Sequence, residues 1–467
     1  MLEELVKRKK VELEIRLNTL ENELQSWYTR SEVSGPLEKH HSQIRALQAH
    51  LKGWHTSVRH KLSEYEKREA EGYLSSCANA ETLILSEHRI WDYFRSKFIQ
   101  RQEVSFVDYL RAADEFAWAC YQPVQQLVYP NPENAKRKEP PLVFLNGGLS
   151  PFSISRGKTF QPEPVAGEVL NLNPEDYLTK LPVPVVGVPW DQVSHLPAVL
   201  VIGHEVGHVV EDDFGLSTDL ERILKVAITE AKAESRAEAW QSWLGEIFAD
   251  LYGCLAGGPA FAGTLIDFLA KGKDRICGEE RTAPKWDNYP TDYLRVRIIL
   301  KALEVMGFKD ETTEYERLWE SYSSKMSEEY AKDIDTIVPK LLTSEQQMLG
   351  DKPIYRVLCF SKSQHGKVTK TLTALKKVKA DTQVEIPTTD IRVLFAALRL
   401  AYESDSDRYV ANKYGSVGLE HIKKNVIKKG VRRAGEAELP AKKLDGKLKA
   451  YEEAGTDWVK SIMKGLG

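Results

Sequence analysis

Within the run LPAVLVIGHEVGHVVEDD, His204 and His208 stand four residues apart, and Glu205 sits beside the first of them. On a helix, positions i and i+4 share a face, so both imidazoles can reach one metal ion. Glu205 is offset enough to touch a water held by that metal rather than the metal itself, the position of a general base. Pro197 and the apolar stretch Val199–Ile202 suit the start of a buried helix behind a strand.

A second segment, WQSWLGEIFADLYGCLAGGPAF, supplies what the first lacks. Glu246 and Asp250 are four apart, and Gly253 follows three residues later. Trp243, Leu244, Ile247, Phe248, Leu251 and Leu255 make the surrounding helix strongly apolar. Carboxylates in such a setting are costly unless they are paired or bind a metal. Catalytic zinc takes three protein ligands, and His, His and Glu form one of the recurring sets. Glu246 is therefore the expected third ligand, with one Zn2+ per chain. Asp250, one turn on, is placed to accept the outer N–H of a ligand imidazole, that of His204. Gly253 leaves room for a close approach.

The chain here resembles the gluzincin zinc metallopeptidases, to which thermolysin belongs. The matching residues are His204, Glu205 and His208, then Glu246, Asp250 and Gly253 in an E-x-x-x-D-x-x-G arrangement, all within about 195–260. The resemblance implies a zincin-like core in which an edge strand lies beside the first active-site helix and binds substrate backbone. LPVPVVGVP and SPFSISRG are the two candidates for that strand. It also implies hydrolysis of peptide bonds, with a peptide or protein as substrate. The metzincin extension is absent, since VVEDDFGL follows His208. The G-x-M-E-N signature of one aminopeptidase branch is absent too, which favours an endopeptidase.

The stretch YPTDYLRVRIILKALEVMGF looks like the helix that, in several HExxH families, follows the third ligand and brings a His-Pro and an Arg toward the site. Tyr289 stands where that resemblance puts His. Tyr289 and Arg295 are the candidate catalytic donors to a developing oxyanion, with Tyr293, Arg297 and Arg156 as alternatives.

The elements that must position these residues are mostly helical, an α+β fold with a small sheet. Leu13, Leu17, Leu20, Leu24 and Trp27 alternate spacings of four and three, the seam of a coiled coil. SEVSGP then makes a turn, and Ile44, Leu47, Leu51, Trp54, Val58, Leu62 and Tyr65 form a second seam. Antiparallel pairing of the two helices is the expected arrangement, with self-association or a partner protein as the alternative. His40, His41, His50, His55 and His60 are expected on the solvated faces of these helices. Strand signals lie between 128 and 190, and one more at Pro353–Phe360. The chain divides into an N-terminal helical region with the hairpin (1–130), a metallopeptidase domain (131–310) and a mostly helical accessory region (311–467), whose flanking parts are expected to regulate activity.

Composition narrows the class. At 467 residues, two or three cores are needed. A net charge of −3 does not call for a polyanionic partner, and the basic clusters at 367–379 and 421–433 have no interleaved aromatics for stacking on nucleic acid. Five scattered cysteines with no CxxC, a charged first segment and no long apolar run point to a cytoplasmic protein that does not cross a membrane. A catalytically silent, zinc-stabilised scaffold that binds a partner through its coiled coil is the competing reading. Glu205 separates the two, because a structural site has no use for a base.

Overall fold

The computed structural model describes the chain outside residues 33–34, 132–133, 135, 157–158, 161–178, 181, 273–275, 277–287, 320–327, 379–384, 428–440 and 466–467. It is mostly helical with a small sheet. Four helices come first: α1 (Leu2–Glu32), α2 (His41–Tyr65), α3 (Ala70–Ile99) and α4 (Val104–Val128). Strands β1 (Leu142–Asn146), β2 (Phe152–Ile154), β3 (Thr159–Phe160), β4 (Thr179–Lys180) and β5 (Val185–Pro189) follow. Next come α5 (Ile202–Phe214), α6 (Ser217–Ala231), α7 (Ala237–Gly257), α8 (Pro259–Leu269) and α9 (Asp292–Met306). The later helices include α10 (Lys309–Trp319), α11 (Glu328–Thr343), α12 (Ile354–Val357), α13 (Lys362–Leu375), α14 (Ile391–Ser404), α15 (Ser406–Ala411), α16 (Tyr414–His421) and α17 (Ala441–Gly465).

The three-stranded sheet runs β1-β5-β2, with β5 parallel to β1 and antiparallel to β2. Side chains alternate across a strand, and here each face of the sheet closes a different core. Val143, Leu145, Val186 and Val188 face the larger core, which carries α5 and α7. Leu142, Phe144 and Val185 face the smaller one, built from α1, α2, α3 and α17. The sheet is thus the shared wall between the helical bundle and the helices that hold the candidate ligands.

In the bundle, the first seam is buried inside the chain: Leu13, Leu17 and Leu20 are fully covered. Each such side chain contributes about 1.5–3 kcal/mol relative to exposure. The hairpin does not stand alone, since α3 packs against both its helices and α17 lies along α2. Two glycines set the α2–α17 crossing. A Cβ on Gly53 would stand 1.9 Å from the carbonyl oxygen of Glu452, and one on Gly455 would stand 2.0 Å from that of His50. Trp458 of α17 packs edge-on to Trp54 of α2, centroids 4.1 Å apart.

Three expectations are corrected here. Of the histidines placed on solvated faces, His40, His41, His50 and His55 are buried, because the bundle covers the helix faces opposite the seam. The apolar run Pro353–Phe360 is not a strand. Gly350 and Asp351, both at positive φ, turn the chain, and Ile354–Val357 forms one helical turn after Pro353. LPVPVVGVP is the central strand β5 rather than an edge: Pro184 precedes the strand and Pro189 ends it, so the Val185–Gly187 stretch pairs on both sides. The edge beside α5 is β2, from SPFSISRG. Among the described residues, no helix is long and apolar enough to cross a membrane.

Candidate metal centre

Helix α5 is prepared by a 3-10 turn, Leu196–Val201, with Pro197 at its start, and ends at Gly215, whose φ of 65° closes it in the left-handed conformation. It crosses α7 at very short range. A Cβ on Gly207 would lie 3.0 Å from Ala249 Cα and Tyr252 Cβ, and one on Gly203 would lie 3.4 Å from Gly253 Cα. Gly203 and Gly207 each directly precede one of the two histidines, four residues apart, so the face beside the histidines is bare enough for α7 to bring Glu246 against them. Gly253 has a second duty: the Phe261 ring of α8 fills the place of its missing side chain, 2.3 Å from where a Cβ would be.

This crossing brings His204, His208 and Glu246 together, with one donor atom from each within 4.8 Å of the others. Glu246 Oε2 lies 3.3 Å from His204 Nε2 and 3.4 Å from His208 Nε2. These separations exceed a good N–H···O hydrogen bond, and Oε2 is buried with no hydrogen-bond partner. Two ligand atoms each about 2.0–2.1 Å from a tetrahedral zinc lie roughly 3.3 Å apart. The donor set and its spacing therefore fit zinc.

Behind the candidate ligands, Asp250 Oδ1 is 2.8 Å from His204 Nδ1. With that nitrogen carrying its proton toward Asp250, the Nε2 lone pair is left for the metal. Asp250 in turn receives two bonds from Arg295 of α9, Nε to Oδ2 at 2.9 Å and Nη2 to Oδ1 at 2.8 Å. Burial alone would raise the Asp250 pKa, but the Arg295 guanidinium and His204 hold it below the usual carboxylate value. On His204 burial opposes the charge, yet the hydrogen bond to Asp250 and the nearby negative charge of Glu246 and Glu205 outweigh it and push the pKa up to about 10. Glu246 is lowered by the two imidazoles despite its burial. Glu205, Glu246 and Asp250 thus gather negative charge that Arg295 balances in part, an environment that favours a dication.

Compared with known proteins, the chain matches no family model, no curated protein and no solved structure.

Glu205 is buried on α5 beside the ligands. Tyr289 is half-exposed and faces Glu246. Burial, followed by the negative charge of Glu246, raises its pKa, so the phenol stays protonated and able to donate. Its ring also covers the Arg295 guanidinium, 5.1 Å away. Arg295 is buried and occupied by Asp250, which places it behind the candidate ligand His204 rather than at the open side. The remaining candidates lie elsewhere. Arg297 approaches Glu316 at 3.5 Å. Arg156 joins Asp213 at the end of α5 to the carbonyls of Glu139 and Pro182, tying the sheet to that helix. Tyr293 packs partly buried against the larger core.

Two contributors were missed from the sequence. The Gly203/Gly207 pair is legible as small residues at i and i+4, a spacing that signals a close helix crossing. Arg392 donates to the carbonyls of Ala256, at 2.8 Å, and Leu255, at 3.3 Å, capping the C-terminus of α7. No local pattern ties that arginine to a helix more than a hundred residues earlier.

Proposed function

We propose that the protein is a zinc-dependent metallopeptidase, with one zinc per chain held by His204, His208 and Glu246 and with Glu205 as the general base. The observation that carries this reading is the unpartnered Glu246 Oε2, set 3.3 and 3.4 Å from two imidazole nitrogens with Glu205 alongside. Zinc at this position supplies Lewis acidity, lowering the pKa of a water and polarising a carbonyl.

The chain's own residues do the rest. Glu205 takes the proton of the attacking water and delivers it to the leaving amine. Asp250 fixes the His204 tautomer, and Arg295 fixes Asp250. The Tyr289 hydroxyl donates to the oxyanion as it develops. Strand β2 is the edge of the three-stranded sheet with no further strand beside it among the described residues, and an extended peptide can lie along it, which suits an endopeptidase. The helical bundle bears on this edge through the sheet it shares with the site, the route by which the flanking regions regulate cleavage.

The test is metal content by elemental mass spectrometry alongside cleavage of a quenched-fluorescence peptide library. Wild type carries about one zinc per chain, Glu246→Ala loses it, and Glu205→Gln keeps the zinc but loses turnover. A wild-type chain that holds no zinc when zinc is supplied, or a Glu205→Gln variant that still cleaves, overturns the assignment.

A further inference from the structure

A second built feature lies in the helical bundle, on the smaller core. A cavity of about 370 Å³ opens between α1, α2, α3 and the C-terminal helix α17. That volume falls within the range of small-molecule sites. Glu87 of α3 reaches it from the inside and is fully buried. Both of its carboxylate oxygens lack a hydrogen-bond partner.

Its nearest polar neighbour does not answer it. His55 Nδ1 stands 3.5 Å from Glu87 Oε1, too far for a good hydrogen bond. On the other side of the ring, Arg59 Nε donates to His55 Nε2 at 3.0 Å, so Nδ1 is the nitrogen that carries a proton toward Glu87, and it stops 3.5 Å short. Arg59 spends its other nitrogens on Glu14, at 2.6 Å, and Asn18, at 2.7 Å. Burial raises the Glu87 pKa and His55 offsets this only in part, and in either protonation state the two oxygens are unmet. Buried polar groups normally have partners, and a buried carboxylate without one is costly. The other charged groups of the lining are engaged away from Glu87: Glu21 lies 3.6 Å from Arg59 Nη2, Lys52 pairs with Glu452 at 2.8 Å, and Arg45 lies over the Tyr28 ring.

We propose that this cavity binds a small organic cation, a primary ammonium or guanidinium compound, with Glu87 as its counter-ion. The three or more N–H donors of such a group match two unmet oxygens and the Glu21 carboxylate. A single metal ion fits less well, because His55 turns opposite nitrogens toward Glu87 and Glu21, at 3.5 Å each. Leu448 and Glu452 of α17 form part of the wall, so a bound cation also bridges the C-terminal helix to the bundle.

The experiment is calorimetric titration of the full chain with putrescine and agmatine, with butyrate and magnesium chloride as controls. One saturable site for either amine, with neither control binding, is the expected result. Glu87→Gln, which keeps the shape of the side chain, weakens that binding roughly 30-fold or more. Leu448→Trp, which fills the opening and leaves the charges in place, abolishes it while thermal unfolding stays as in wild type. The proposal is overturned if neither amine binds, if butyrate or magnesium binds equally well, or if Glu87→Gln binds the amines as tightly as wild type. Should Glu87→Gln fail to fold, unchanged amine binding by Leu448→Trp overturns it on its own.

Discussion

Arg295→Met separates two roles that the sequence left open. If Arg295 touches the substrate, its loss slows turnover while zinc stays in place. The structure puts it elsewhere: both of its bonds to Asp250 are 2.8–2.9 Å long, and both partners are buried. Methionine retains most of the length and apolar volume but leaves a buried carboxylate with His204 as its remaining strong partner. Breaking a buried pair in this way costs about 3–5 kcal/mol, a large share of the total stability of about 5–15 kcal/mol typical of a domain. Loss of the group that orients a metal-bound histidine lowers metal affinity about 10- to 100-fold. The pH dependence has a definite sign. Asp250 is depressed in the folded wild type, so its contribution is present above the ordinary carboxylate pKa and lost as pH falls through the lowered one. Without the guanidinium the folded pKa moves up, and stability is lost at a higher pH on acidification. Urea unfolding from pH 3 to 7, paired with zinc competition against a chelator, measures both effects. Wild-type stability and zinc affinity in Arg295→Met, with only turnover reduced, would refute this account and return Arg295 to the substrate side.

Other perturbations read other parts of the design. Gly207→Val puts side-chain atoms where a Cβ already meets Ala249 Cα at 3.0 Å. It should cost about 1–3 kcal/mol and lower zinc content by separating α5 from α7, as circular dichroism melts and metal analysis will show. Tyr289→Phe should keep its zinc and its stability but lower kcat about 10²-fold or more, while unchanged kcat would remove the phenol from the mechanism. Gly455→Val sets side-chain atoms against the His50 carbonyl and should release α17 from α2, seen as faster amide exchange across 441–465, with zinc content unaltered.

The proposed ligands could be grouped from the sequence because they sit on two helices whose apolar periodicity is strong and whose donors are spaced by whole turns. His204, His208, Glu246 and Asp250 needed nothing beyond the i, i+4 rule to be grouped, and the structure sets all four within a few ångströms. The N-terminal helices were harder to read. Their seams show which face is most apolar, but a helix enclosed by neighbours also buries polar side chains on its other faces. His40 is paired with Gln43 and Arg101, and His50 lies against Trp458. Arg101 and Trp458 come from separate elements, the latter about four hundred residues away, and a glycine such as Gly455 carries no local mark of the crossing it permits. The run at 353–360 misled for a related reason. Apolar and β-branched residues suit a strand or a buried turn of helix equally, and the positive φ at Gly350 and Asp351 decided the matter.

The same distinction explains why the first layer of the centre is easier to read than what supports it. A metal demands particular donor atoms at particular spacings, so its ligands leave a pattern in the chain. What holds them needs only to neutralise a charge or vacate a volume, and many residues in many positions can do that. Arg295 lies behind Asp250 because a buried carboxylate has to be answered by something, and Arg392 caps α7 because carbonyls at a helix end must be met. The same reasoning, applied to a group that nothing answers, singles out Glu87. Its position on α3 matches no motif, and only the folded chain shows that both of its oxygens are without partners. Satisfied buried charges thus account for the support around the proposed metal centre, and the unsatisfied one marks the proposed second site.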